Sequence, residues 1–125
     1  VARGNADNPA VWEQLGTALR ATGQLEEARE AFSLPLYLQP GNPQLRNTIA
    51  MLAAETGNPG AAVDHYRALL NQHPSFVEGW FNLGVVYARS GDAANAQQAW
   101  RQVLKYQPDH ELAQAYLERI ASDGS

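Results

Sequence analysis

Three glycines and three prolines keep a single 34-residue spacing along this chain: Gly23, Gly57 and Gly91, and Pro40, Pro74 and Pro108. At background frequencies of about 7% for Gly and about 5% for Pro, six such coincidences arise about once in 10⁷ to 10⁸ trials. The chain is therefore an array of three similar units. An array of this kind buries a continuous stack of elements, each unit sheltering the apolar side of its neighbour, rather than a spherical core.

In register, the units run 9–42, 43–76 and 77–110, after a lead-in at 1–8 and before a shorter remainder at 111–125. Within each unit, apolar residues recur at three- and four-residue spacing over two stretches, the pattern of two amphipathic helices. Gly23, Gly57 and Gly91 close the first stretch, because Gly takes the left-handed conformation that satisfies a helix's last carbonyls. Pro40, Pro74 and Pro108 stop the second. Asn8, Asn42 and Asn58 precede prolines suited to a first helical turn and read as N-caps, Ser75 with Glu78 has capping-box spacing, and Asp92 and Asp109 read as simple caps. Seven helices are expected, at about 9–22, 25–39, 43–56, 59–72, 77–90, 93–106 and 110–121.

The residues in phase indicate how these helices touch. Trp12 and Trp80 open first helices, followed by Leu15, Ile49 and Leu83. Gly16, Ala50 and Gly84, with Ala28, Ala62 and Ala96 on the second helices, are small enough for close approach. Phe32, Tyr66 and Trp100 then supply the large rings that fill the space. Two positions depart from the pattern: Arg46 replaces the tryptophan in the second unit, packing an aliphatic stem, and Pro35 falls inside a second helix. A proline there removes a hydrogen bond and clashes near Ala31, at about 3 kcal/mol, so a kink or break is expected around Ser33 to Leu36.

The segments WEQLGTAL with Ala28, Phe32 and Pro40, and WFNLGVVY with Ala96, Trp100 and Pro108, resemble the tetratricopeptide repeat, W-x₂-L-G-x₂-Y…A…F…P. The resemblance covers 9–110. It implies an all-α fold, an α-solenoid in which three antiparallel helix pairs form a right-handed superhelix with a concave groove. ELAQAYLERIAS resembles the family's C-terminal capping helix, with Glu118, Arg119 and Asp123 on its polar side.

Composition narrows the partners. Nine Lys and Arg against thirteen Asp and Glu give a net charge of −4, and leave no basic stripe for a phosphate backbone, so nucleic acid is not an expected partner. No apolar run approaches the roughly 18 residues of a membrane span and no signal peptide is recognisable, so a soluble chain, cytoplasmic or periplasmic, is expected. Absence of cysteine removes thiol chemistry and leaves the compartment open. The alanine-rich, cysteine-free composition reads as bacterial. The chain opens at Val1 rather than Met, and a piece of something longer is expected.

Catalytic patterns are missing: no phosphate loop, no GxSxG, no HExxH. His65 and His73 are too far apart to share a metal unaided, and surface or helix-end positions account for His65, His73 and His110. No enzyme activity, cofactor or metal is expected. Projection of the first helices leaves Glu13, Gln14, Thr17 and Arg20, then Asn47, Thr48, Met51 and Glu55, then Glu78, Phe81, Asn82, Val85 and Arg89 outside the core, with Leu112, Tyr116 and Arg119 at the border. Apolar anchors and amides suit a peptide, and Met51, Phe81, Asn82, Val85 and Arg89 are the expected contacts, supported by Asn47 and Arg20.

The resemblance adds a role for Asn82, since family members pair an asparagine there with the backbone of a bound peptide. The family's Lys/Asn/Arg carboxylate clamp is missing, with Glu13, Thr17, Thr48, Glu78 and Asn82 at its places, which disfavours an acidic EEVD-type tail. The expected function is a protein interaction scaffold. The alternatives are a substrate-positioning region of a larger enzyme (glycosyltransferase, sulfotransferase or peptidase) or a self-assembling array.

Overall fold

A computed structural model gives the protein's structure and describes residues 8–124, with side chains from 8 to 122. Residues 1–7 of the expected lead-in and the side chain of Asp123 lie outside the described residues. Among those described there is no strand, and the chain divides into two compact units, with the division between His65 and Tyr66.

The first unit holds α1 (Pro9–Ala21), α2 (Leu25–Ala31), α3 (Ser33–Leu38), α4 (Pro43–Glu55) and the start of α5 (Pro59–Gln72). The Asn8 and Asn42 side chains accept from the amides of Ala10 and Leu45 at 3.0 and 3.2 Å, and Asn58 accepts from Ala61 at 3.1 Å. Gly23 takes φ +82°, which lets the Gln24 amide reach back to the Leu19 carbonyl at 2.8 Å and close α1. Ala28, Phe32, Leu45, Ile49 and Leu52 form the buried cluster, flanked by Leu19, Leu25 and Leu36. Burying each large apolar side chain stabilises the unit by about 1.5–3 kcal/mol.

The expected single helix at 25–39 is two helices, broken at Phe32, one residue ahead of the window around Pro35. Pro35 has no N–H to offer the Ala31 carbonyl, and the chain restarts with the Leu36 amide donating to Phe32 at 3.0 Å. The break costs little packing, because Phe32 and Pro35 are both buried. Leu15 departs from its expected core role. It is 43% exposed, whereas its repeat equivalents Ile49 and Leu83 are 8% and 4% exposed.

The second unit holds the rest of α5, then α6 (Val77–Arg89), α7 (Ala93–Tyr106) and α8 (Glu111–Gly124). Its core is Ala96, Trp100, Val103 and Ala113, against which α6 and α8 pack. Asp92 caps α7 as expected, accepting from the Asn95 amide at 3.1 Å. Two expected caps are corrected. Ser75 and Glu78 form no capping box, because Phe76, not Ser75, stands at the N-cap position of α6. Likewise it is His110, not Asp109, that caps α8, its Nδ1 accepting from the Ala113 amide at 3.1 Å. In both places the proline and its successor are spent on the turn, and the boundary falls at the repeat equivalent of Asn42.

That proline turn is tied down in an unexpected way. Trp80 Nε1 donates to the Pro74 carbonyl at 2.7 Å, and its repeat equivalents do the same: Arg46 Nη2 to Pro40 at 3.4 Å and Gln114 Nε2 to Pro108 at 2.7 Å. Arg46 thus supplies the donor that the missing indole would have given, as well as an aliphatic stem.

Candidate functional site

In the first unit, α1 and α4 place Thr17, Arg20, Ala21, Thr48 and Glu55 around an open cavity of about 490 Å³. All but Ala21 belong to the face projected from sequence. Arg20 is already paired, its Nε and Nη2 both donating to Glu55 Oε1, at 3.0 and 2.8 Å. The partners stand 35 residues apart, one repeat plus one, which is how an arginine meets a carboxylate on the next first helix. Asn47 is corrected as a supporting contact: it is 4% exposed and donates to Met51 Sδ at 3.8 Å, a site of limited reach from outside. Met51 itself is half-buried.

In the second unit, Phe81 is not the uncommitted apolar residue expected. Its ring stacks on Tyr116 of α8, centroids 5.4 Å apart, and lies 5.3 Å from the His110 ring. Tyr116 in turn meets Trp100 edge-on at 5.3 Å. The ring chain fastens the last helix, an arrangement worth about 0.5–1.5 kcal/mol per ring pair beyond area burial. Val85 packs against the same core, Asn82 is half-buried, and Arg89 is exposed at the end of α6. Beside this lies a cavity of about 390 Å³, mostly apolar, lined by Ala88, Ala93, Trp100, Tyr116, Arg119 and Ile120. Sequence reading placed Tyr116 and Arg119 at the border of the face but did not foresee the cavity, which depends on how α8 is seated.

The histidines are not simply exposed. Arg46 Nη1 stands 3.2 Å from His65 Nδ1, and since a guanidinium only donates, Nδ1 accepts. Burial, followed by the Arg46 charge, pushes the His65 pKa below its ordinary 6.5. Among the described residues, no three His, Cys, Asp or Glu side chains converge as metal ligands, and no helix is long and apolar enough to cross a membrane.

Models of the tetratricopeptide repeat match residues 9–42 and 47–100. A TPR repeat-containing protein of Pseudomonas aeruginosa is 32% identical over 77 residues, 62% of this chain and 73% of that protein. Among solved structures, YrrB, described as a TPR protein with an unusual peptide-binding site, superposes with a TM-score of 0.83 at 25% identity, covering 89% of this chain and 57% of its own. The first TPR of Spaghetti, bound to the HSP90 peptide SRMEEVD, superposes with a TM-score of 0.83 at 17% identity, covering 92% of this chain and 91% of its own.

Proposed function

Because the chain belongs to the tetratricopeptide repeat family, we propose that it is a non-catalytic scaffold that holds a peptide or protein segment against the faces of its first helices. The supporting observation is the division of side chains on α6. Leu83, Gly84 and Val86 are buried in helix packing, with half-buried Asn82 and the exposed charge of Arg89 on the remaining side. Arg119 and the 390 Å³ cavity offer an apolar side chain a seat in the same unit. The peptide-binding descriptions of YrrB and Spaghetti support the class of partner. They do not extend to a tail like SRMEEVD, because Glu13 and Glu78 stand where the clamp would need cations.

Selection of a random nonapeptide library on the wild-type chain, followed by anisotropy titrations, tests this reading. An Asn82→Ala/Arg89→Ala variant is expected to bind the selected peptides about tenfold more weakly, roughly one hot-spot interaction. Equal affinity for both proteins removes the assignment. Phe81 is left intact in the test, since its loss would loosen α8.

A further inference from the structure

We propose that the second unit carries another binding site, between α5 and α7, that takes an acidic segment of a partner protein through the paired arginines Arg67 and Arg101. The two helices, with α6 as the floor, enclose an open cavity of about 410 Å³, and a hollow of about 280 Å³ shares Arg67, Trp80 and Leu83 with it. This site lies outside the residues assigned to the first-helix face.

The arginines are repeat equivalents, 34 residues apart, each following the large ring of its helix, Tyr66 or Trp100. Equivalent positions on equivalent helices direct both guanidiniums to one cavity. Ser33 holds the place in the first repeat, so the pair is confined to this unit. Arg67 Nη2 donates to the Tyr87 hydroxyl at 3.0 Å, which steadies the guanidinium without neutralising it. Arg101 is exposed. Among the described residues, the arginines that pair with carboxylates are Arg20 and Arg29, and no carboxylate lines the cavity.

In a chain of net charge −4, two unneutralised guanidiniums at one cavity reverse the local sign. The group that matches their planar forks is a carboxylate, held by parallel N–H bonds. Gln98 and Gln102 on the same wall carry amides able to pair with a peptide backbone. Trp80 and Leu83 give an apolar floor, and the Trp80 ring is fixed by its bond to Pro74. The occupant is therefore an extended segment with an Asp or Glu beside an apolar side chain.

The probe is the random nonapeptide library, selected on the wild-type chain at low salt, with each selected acidic peptide compared against its Glu→Gln, Asp→Asn counterpart. Acid-dependent peptides are expected to emerge, to weaken about tenfold on Arg101→Gln, and to weaken on raising salt. The Arg101 side chain makes no hydrogen bond or ion pair among the described residues, so that variant is expected to keep the fold intact. Arg67→Lys keeps the charge but loses the fork, and an intermediate loss is expected. Asn82→Ala/Arg89→Ala is expected to bind these peptides normally. If no acid-dependent peptide is selected, or if Arg101→Gln binds as wild type does, the site is not there. Loss confined to Asn82→Ala/Arg89→Ala would leave the first-helix site standing and overturn this one.

Discussion

The indole of Trp100 fills the space that a Cβ on Gly84 would occupy, and its Nε1–H donates to the Phe81 carbonyl at 3.2 Å. Helices α6 and α7 can lie this close only because residue 84 has no side chain. The first unit repeats the device with Phe32, whose ring carbon would stand 2.6 Å from a Cβ on Gly16.

Gly84→Ala is therefore expected to destabilise the chain, although alanine is the better helix former by about 1 kcal/mol. Overpacking against a ring held by its own hydrogen bond costs about 1–3 kcal/mol and outweighs that gain. A urea melt with an unchanged midpoint would contradict the close approach. Gly91→Ala costs about 1–2 kcal/mol for a different reason: φ is +82° with open space around it, so the strain is purely in the backbone.

Phe81→Ala is expected to cost about 2 kcal/mol, below the range for a fully buried phenylalanine because Phe81 is half-buried. The loss should be local. Hydrogen exchange should speed up across α8, where Tyr116 loses its stacking partner, and not in α1. Uniform acceleration would mean that the ring supports the whole chain rather than its last helix.

How far the sequence could be read follows from what each residue does. Gly23, Gly57 and Gly91 announced their turns because positive φ is a demand on one residue, independent of context. Gly16 and Gly84 opposite Phe32 and Trp100 were legible because small and large side chains alternate at fixed spacing. Phe81 was misread, since helix projection showed which side it occupies but not that Tyr116 and His110 come round to cover it. Asn47 was misread for a similar reason, its amide turning to Met51 on its own helix. Ser75 and Asp109 were favoured as caps by residue type, while the repeat phase of Asn42 pointed one residue further on, to Phe76 and His110. Phase was the better guide.

Stability should fall as pH drops below about 6.5. The folded His65 has a lowered pKa, so between that value and the ordinary 6.5 the unfolded chain binds the extra proton and gains on the folded one. Above 6.5 the contribution is fully present, and below the folded value the curve flattens again. His65→Gln should remove this step from a series of urea midpoints against pH. A separate loss is expected under stronger acid, because hydrogen bonds from Asn95 hold the Asp92 carboxyl below its ordinary 3.8. That contribution persists above 3.8 and disappears as pH falls through the folded value, and Asp92→Asn should abolish it.

Pro35→Ala is expected to fuse α2 and α3 by restoring an N–H for the Ala31 carbonyl. The gain from the restored bond, about 1 kcal/mol, is opposed by loss of a buried ring, so the melting midpoint should move little while helical circular dichroism rises. An unchanged dichroism signal would place the cause of the break elsewhere than in the proline.

A lone N–H is a modest thing to ask of a side chain. Guanidinium, indole and carboxamide each meet it at Arg46, Trp80 and Gln114. The hallmark tryptophan can therefore be replaced within a repeat without unseating the loop before it. What the turn requires is an N–H within reach of its proline carbonyl, whichever side chain brings it.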